Sequence, residues 1–203
     1  MTDRPSAPVS GAQSLLADRR VAHQELLDRL AEPATAAAIE SAAALIAESL
    51  DSEGTLFFFG NGGSSADAQH VAAEFVGRFR ADRRPLAAVA LGTNPAVISA
   101  LANDYGFHKE GFARELEALG RRGDVAIAIS TSGRSPGVLT ALARARDVGM
   151  KTIALTGTGH GLDGLAEVVI AVETANVALV QEMHAVVGHL ICEMVEERLG
   201  LTG

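Results

Sequence analysis

Thr55-Leu56-Phe57-Phe58-Phe59-Gly60-Asn61-Gly62-Gly63-Ser64-Ser65 runs from an apolar stretch into three glycines and two serines, and Asp67-Ala68-Gln69-His70-Val71-Ala72-Ala73-Glu74 follows closely. The run 55–59 has the length and composition of a buried strand, and the stretch after the glycines has helical character. Glycine lets the main chain turn tightly and approach an anion. Helix N-terminal N–H groups attract negative charge, so the segment reads as strand, anion-binding turn and helix, with Ser64 or Ser65 as the expected N-cap.

The same design recurs downstream. Apolar run 125–129 leads into Ser130-Thr131-Ser132-Gly133-Arg134-Ser135-Pro136, where Ser135 reads as N-cap and Pro136 as the first helical residue. Ser130, Thr131 and Ser132 are then free to coordinate oxygens. Neither turn matches the dinucleotide G-x-G-x-x-G or the nucleotide-binding G-x-x-x-x-G-K pattern. Taken alone, either is more often only a tight strand-to-helix connection; two in one sheet favour a ligand.

Further apolar runs at 86–91, 152–155 and 168–172 alternate with helical stretches, the pattern of a parallel sheet covered on both faces. Upstream, apolar spacing predicts a helix over 14–30, interrupted at Pro33, and an alanine-rich helix over 34–50. The expected fold is α/β: a doubly wound parallel five-stranded sheet flanked by helices and preceded by a helical pair. Residues 1–10, polar with two prolines, are expected to form a flexible N-terminus, and 11–203 a single domain. A final helix over 176–199, apolar at Val177, Val180, Met183, Val187, Ile191 and Met194, suggests packing in an oligomer.

At 203 residues and 48% hydrophobic content the chain can bury a substantial core. A net charge of −8 without a long basic cluster argues against nucleic acid and anionic membrane as partners, because both reward clustered Lys and Arg. No run has the length of a membrane span or the apolar stretch of a signal peptide. The single cysteine, Cys192, rules out an internal disulfide and fits a reducing compartment, so a cytoplasmic location is expected.

In open parallel sheets ligands sit beyond the carboxyl ends of the strands, where both serine-rich turns fall. His70 and Glu74, at i and i+4, share one helix face and can hold one metal or one substrate; a solvated Glu beside a core His has the same spacing. Gln181, His184 and His189 lie on the last helix, His184 reading as a satisfied core residue. Gln181 and His189 are eight residues apart, a rise of about 12 Å, so serving one ion requires converging side chains or different subunits.

These segments resemble the sugar isomerase (SIS) domain family, and within it the phosphoheptose isomerase branch, over nearly the whole chain to about Leu199. The resemblance rests on Gly60-Asn61-Gly62-Gly63-Ser64, His70-x-x-x-Glu74 with Gly77-Arg78, Gly92-Thr93-Asn94-Pro95, Ala102-Asn103-Asp104-Tyr105-Gly106-Phe107, Ser130-Thr131-Ser132-Gly133-x-Ser135, Leu155-Thr156-Gly157 and Gln181-Glu182-x-His184. It implies conversion of sedoheptulose 7-phosphate to a glycero-manno-heptose 7-phosphate by a homotetramer with active sites between subunits. By similarity Glu74 is the general base and His189 the general acid. The family's zinc ligands fall on His70, Glu74, Gln181 and His189. Its substrate contacts fall on Asn61, Gly62, Gly63, Asn103, Asp104, Ser130, Thr131, Ser132 and Ser135, with Glu74 and Gln181 shared; Ser64 and Arg78 match positions near the site. One departure is Ala178 and Leu179, where the family often has an acidic residue and an arginine, which leaves the substrate or product anomer open.

The chemistry agrees. Ketose–aldose interconversion through an enediol needs a base that moves a proton between adjacent carbons and an acid that serves the oxygens; a carboxylate and an imidazole supply both. A metal would polarise the carbonyl or position the sugar. The nearest rival is a non-catalytic SIS protein that binds the replication initiator DnaA. It shares the serine-rich regions but not the proposed base and acid, so the presence of Glu74 and His189 favours catalysis. Other SIS activities, a phosphosugar etherase or a pentose phosphate isomerase, form a third class.

Overall fold

The computed structural model describes residues 11–158, 162 and 164–201; the expected flexible segment 1–10 lies outside them. Two helices, α1 (Ala12–Leu30) and α2 (Pro33–Asp51), precede the sheet. There follow β1 (Leu56–Gly60), α3 (Gly63–Val76), β2 (Ala88–Ala90), α4 (Pro95–Asp104), α5 (Phe107–Leu119), β3 (Val125–Ser130), α6 (Pro136–Val148), β4 (Lys151–Thr156), β5 (Val168–Ala171) and α7 (Val177–Arg198). Pro33 opens α2 as a first-turn residue rather than merely closing α1, since its missing N–H would be unpaired there in any case.

The five strands are parallel, in the order β2-β1-β3-β4-β5. Four match the expected runs to within a residue at either end. Of run 86–91, however, only Ala88–Ala90 pairs as β2: the Leu86 N–H bonds the Phe75 carbonyl of α3, off the sheet, while that of Leu91 makes the last bond of the ladder, to the Phe58 carbonyl of β1. β1 and β3 are buried along their whole length, as central strands covered on both faces must be.

Period-two alternation divides the core cleanly. Leu56, Phe58, Val125, Ile127, Ile129, Ile153 and Leu155 face the layer of α2, α3 and α7. Phe57, Phe59, Ala126, Ala128 and Ala154 face α5 and α6, the alanines of β3 and β4 leaving room for those helices to lie close. Helices on both faces make the sheet doubly wound, as expected.

Gly188 sets the contact between α3 and α7. A Cβ there would lie 2.8 Å from Val71 Cγ2, closer than side chains pack, so glycine alone lets the α7 backbone come against α3 at this point. The neighbours in sequence, His189 and His70, are thereby brought face to face.

Candidate active site at the carboxyl end of the sheet

The strand order reverses direction between β1 and β3, and a crevice opens beyond the carboxyl ends of strands at such a point. The two serine-rich turns follow those two strands. In the first, Gly62 takes φ +59, a left-handed conformation that suits glycine. Gly62 is also the N-cap of α3, and no side chain caps the helix. The expected cap at Ser64 or Ser65 is therefore incorrect: the positive φ starts the helix early, the Ser64 N–H bonds the Asn61 carbonyl at 3.1 Å, and Ser64 lies beneath the turn, only 3% exposed.

In the second turn Ser135 is the N-cap and Pro136 the first helical residue, as expected. Its hydroxyl does not cap α6, however, but accepts a hydrogen bond from Asn61 Nδ2 at 2.8 Å, which joins the two turns into one rim. Ser130 is buried, Thr131 half-buried and Ser132 exposed, the Ser132 hydroxyl accepting from the Arg134 N–H. Gln181 reaches the first turn: a Cβ on Gly63 would collide with its amide nitrogen at 2.0 Å, so Gly63 makes space for that side chain.

His70, Glu74 and His189 converge within this one chain. One ring nitrogen from each histidine and a carboxylate oxygen lie within 4.8 Å of one another. The two Nε2 atoms are 2.8 Å apart, and His70 Nδ1 is 3.8 Å from Glu74 Oε1. Phe79 packs against the His189 ring with centroids 5.2 Å apart. At this distance the two nitrogens share a hydrogen bond, one ring donating and the other accepting. With the carboxylate alongside, the donor set is two nitrogens and an oxygen, which could hold a divalent cation.

Asn103 and Asp104 end α4, the Asn103 amide donating to the Asp104 carboxylate at 2.7 Å. That helix packs chiefly on α5 and has no buried residue, so within one chain these two side chains stay on an exposed helix end. Ala178 and Leu179 occupy the first turn of α7, where their N–H groups are capped by Asn176 Oδ1. His184 is 1% exposed, as a core residue, but neither ring nitrogen makes a hydrogen bond of normal geometry, which corrects its reading as satisfied. Burial pushes its pKa down to about 4, with the Thr156 main chain pulling less in the opposite direction.

Three polar side chains near the site carried no sequence signal of their own. Asp67 lies one helical turn before His70; its Oδ2 is buried without a partner, and burial raises its pKa while the His70 ring opposes. Arg83 and Glu196 form an ion pair with 2% and 3% of their side chains exposed, next to the carboxyl end of α3. Spacing gives one hint: Glu196 follows His189 by seven residues, two helical turns, and so shares its face.

A family model described as SIS domain matches residues 21–157. The chain is 51% identical over 150 residues to a phosphoheptose isomerase of Paramagnetospirillum magneticum, covering 73% of this chain and 78% of that one. Among solved structures it is similar to a phosphoheptose isomerase from Neisseria gonorrhoeae, at 37% identity and a TM-score of 0.80 over 91% of this chain and 96% of the other. It is also similar to one from Francisella tularensis, at 31% identity and a TM-score of 0.84 over 93% and 100%.

Proposed function

Since the chain belongs to the SIS domain family and, within it, to the phosphoheptose isomerases, we propose that it interconverts D-sedoheptulose 7-phosphate and D-glycero-D-manno-heptose 7-phosphate through an enediol. The observation that carries this reading is the convergence of the Glu74 carboxylate with the His189 imidazole beside the two serine-rich turns. The turn main chain and the hydroxyls of Ser130, Thr131, Ser132 and Ser135 grip the sugar phosphate, with Asn61, Gly62, Gly63, Asn103, Asp104 and Gln181 as further contacts. Ser64, beneath the first turn, supports it from below.

Glu74 takes a proton from C1 of the ketose. The C–H electron pair becomes the C1=C2 bond, and the C2 carbonyl electrons move to O2, which receives a proton from His189. In the second half the O1 proton returns to His189 as the C1 carbonyl forms, and Glu74 delivers its proton to C2. Atoms and charge balance without any redox partner. His70, Glu74, Gln181 and His189 would hold a divalent ion, zinc by the nature of the donors, which supplies Lewis acidity to the sugar oxygens.

Self-association as a homotetramer fits α4, an apolar helix with no buried residue, and the exposed Leu15, Leu16, Val21 and Leu27 of α1. A second copy over α4 would enclose Asn103 and Asp104, giving sites shared between subunits. Among the described residues no single helix is long and apolar enough to cross a membrane, and we place this one SIS domain, residues 11–203, in the cytoplasm. Incubation of the purified protein with sedoheptulose 7-phosphate in D2O, followed by NMR, should give an aldose phosphate carrying deuterium at C2. Absence of both product and exchange would rule the reading out, and light scattering together with elemental analysis tests the tetramer and the zinc.

A further inference from the structure

An α-helix leaves its last four carbonyls without intrahelical partners, and its carboxyl end favours a cation. In α3 those carbonyls include that of Glu74 itself. Arg83 supplies the missing donors: its Nη2 bonds the Glu74 carbonyl at 2.8 Å, and its Nη1 bonds those of Phe75 at 3.0 Å and Gly77 at 3.5 Å. The same guanidinium, through Nε, donates to Glu196 Oε1 at 2.7 Å. Glu196 also accepts the main-chain N–H groups of Phe79, Arg80 and Ala81 at 3.2 to 3.3 Å.

One buried, fully partnered unit therefore ties the main chain of residue 74 on α3, through segment 77–84, to α7 two turns beyond His189. We propose that Arg83 and Glu196 are a positioning pair that sets the separation of the Glu74 carboxylate from the His189 imidazole. Neither side chain touches the reacting groups. Their effect passes through the backbone at residue 74 and through the placement of α7, and it rests on the isomerase reading for its kinetic consequence.

The test compares Arg83→Lys, Glu196→Gln and the double apolar replacement Arg83→Met with Glu196→Leu, which keeps the volume and leaves no lone buried charge. Each is assayed as the full-length protein for kcat and KM with sedoheptulose 7-phosphate. Cobalt(II) is also titrated into the chelator-dialysed protein and followed by its visible absorption. A displaced Glu74 should lower kcat and cobalt affinity roughly tenfold or more, as loss of outer-shell support does, with KM little changed. Wild-type kcat and cobalt affinity in any folded variant would overturn the proposal. So would variants that lose folded protein but keep full kcat per bound cobalt, since that is a purely structural role. If the wild type itself shows no turnover, the isomerase reading fails and the cobalt titration alone decides whether the pair sets the His70, Glu74 and His189 spacing.

Discussion

Helices α3 and α7 meet at two polar clusters that differ in almost every respect. At one, His70, Glu74 and His189 are partly exposed, two imidazoles face each other, and the carboxylate has only a 3.8 Å approach to a histidine. At the other, Glu196 is buried and accepts four hydrogen bonds, while Arg83 satisfies the end of α3. A buried polar group without partners costs stability, and a reactive group with every partner in place has nothing left for a substrate. The contrast teaches that the helix pair separates the two tasks, holding its shape at one cluster and leaving valence free at the other.

Opposite phenotypes at the two clusters would test that division most severely. Glu74→Gln should lower turnover by roughly a thousandfold, the scale of a general base, while the denaturant midpoint barely moves. An equal loss of stability in that variant would break the contrast. Arg83→Met, which strands the Glu196 charge, should destabilise the fold by about 3–5 kcal/mol in urea unfolding, and the double apolar variant should recover most of it.

Acid pH sharpens the comparison further. His184, buried and neutral, has a folded pKa of about 4 against 6.5, so the unfolded chain binds the proton first as pH falls. Stability is full above pH 6.5 and should fall by about 3 kcal/mol down to pH 4, a slope that His184→Leu removes. Burial alone would push the Glu196 carboxyl up, but Arg83 and the three N–H groups together hold it below 4.5. Its contribution is therefore present above pH 4.5 and lost below, so that limb should survive in His184→Leu and vanish in Glu196→Gln. The smallest effect belongs to the far end of α7: Asn176→Ala removes the cap on Ala178 and Leu179 and should cost about 1 kcal/mol in thermal unfolding, with turnover intact.

Much of the fold was legible because strand and helix periods are local. Runs 55–59 and 125–129 gave β1 and β3 nearly to the residue, and the doubly wound architecture followed from the alternation with helices, though not the order of the strands. Cap assignment failed at Ser64 and at the Ser135 hydroxyl because a positive φ at Gly62 and a bond from Asn61 are tertiary choices that propensity does not encode. In the site, the i, i+4 spacing placed His70 and Glu74 on one face. That His189 joins them depends on Gly188 letting α7 against Val71, a contact between residues far apart in the chain. Arg83 and Glu196 stayed hidden for the same reason: a short basic stretch and a helical glutamate look solvated until the fold brings together residues 113 positions apart.

Where α7 passes Val71 at Gly188 only a hydrogen stands between backbone and side chain, so the two helices lie closer there than an added Cβ would allow. The meeting of His70 with His189 thus lies beside a position that has no room for even a methyl group. A side chain introduced at residue 188 would have to displace Val71 or part the helices, and the separation of the two imidazoles would report which of the two gives way.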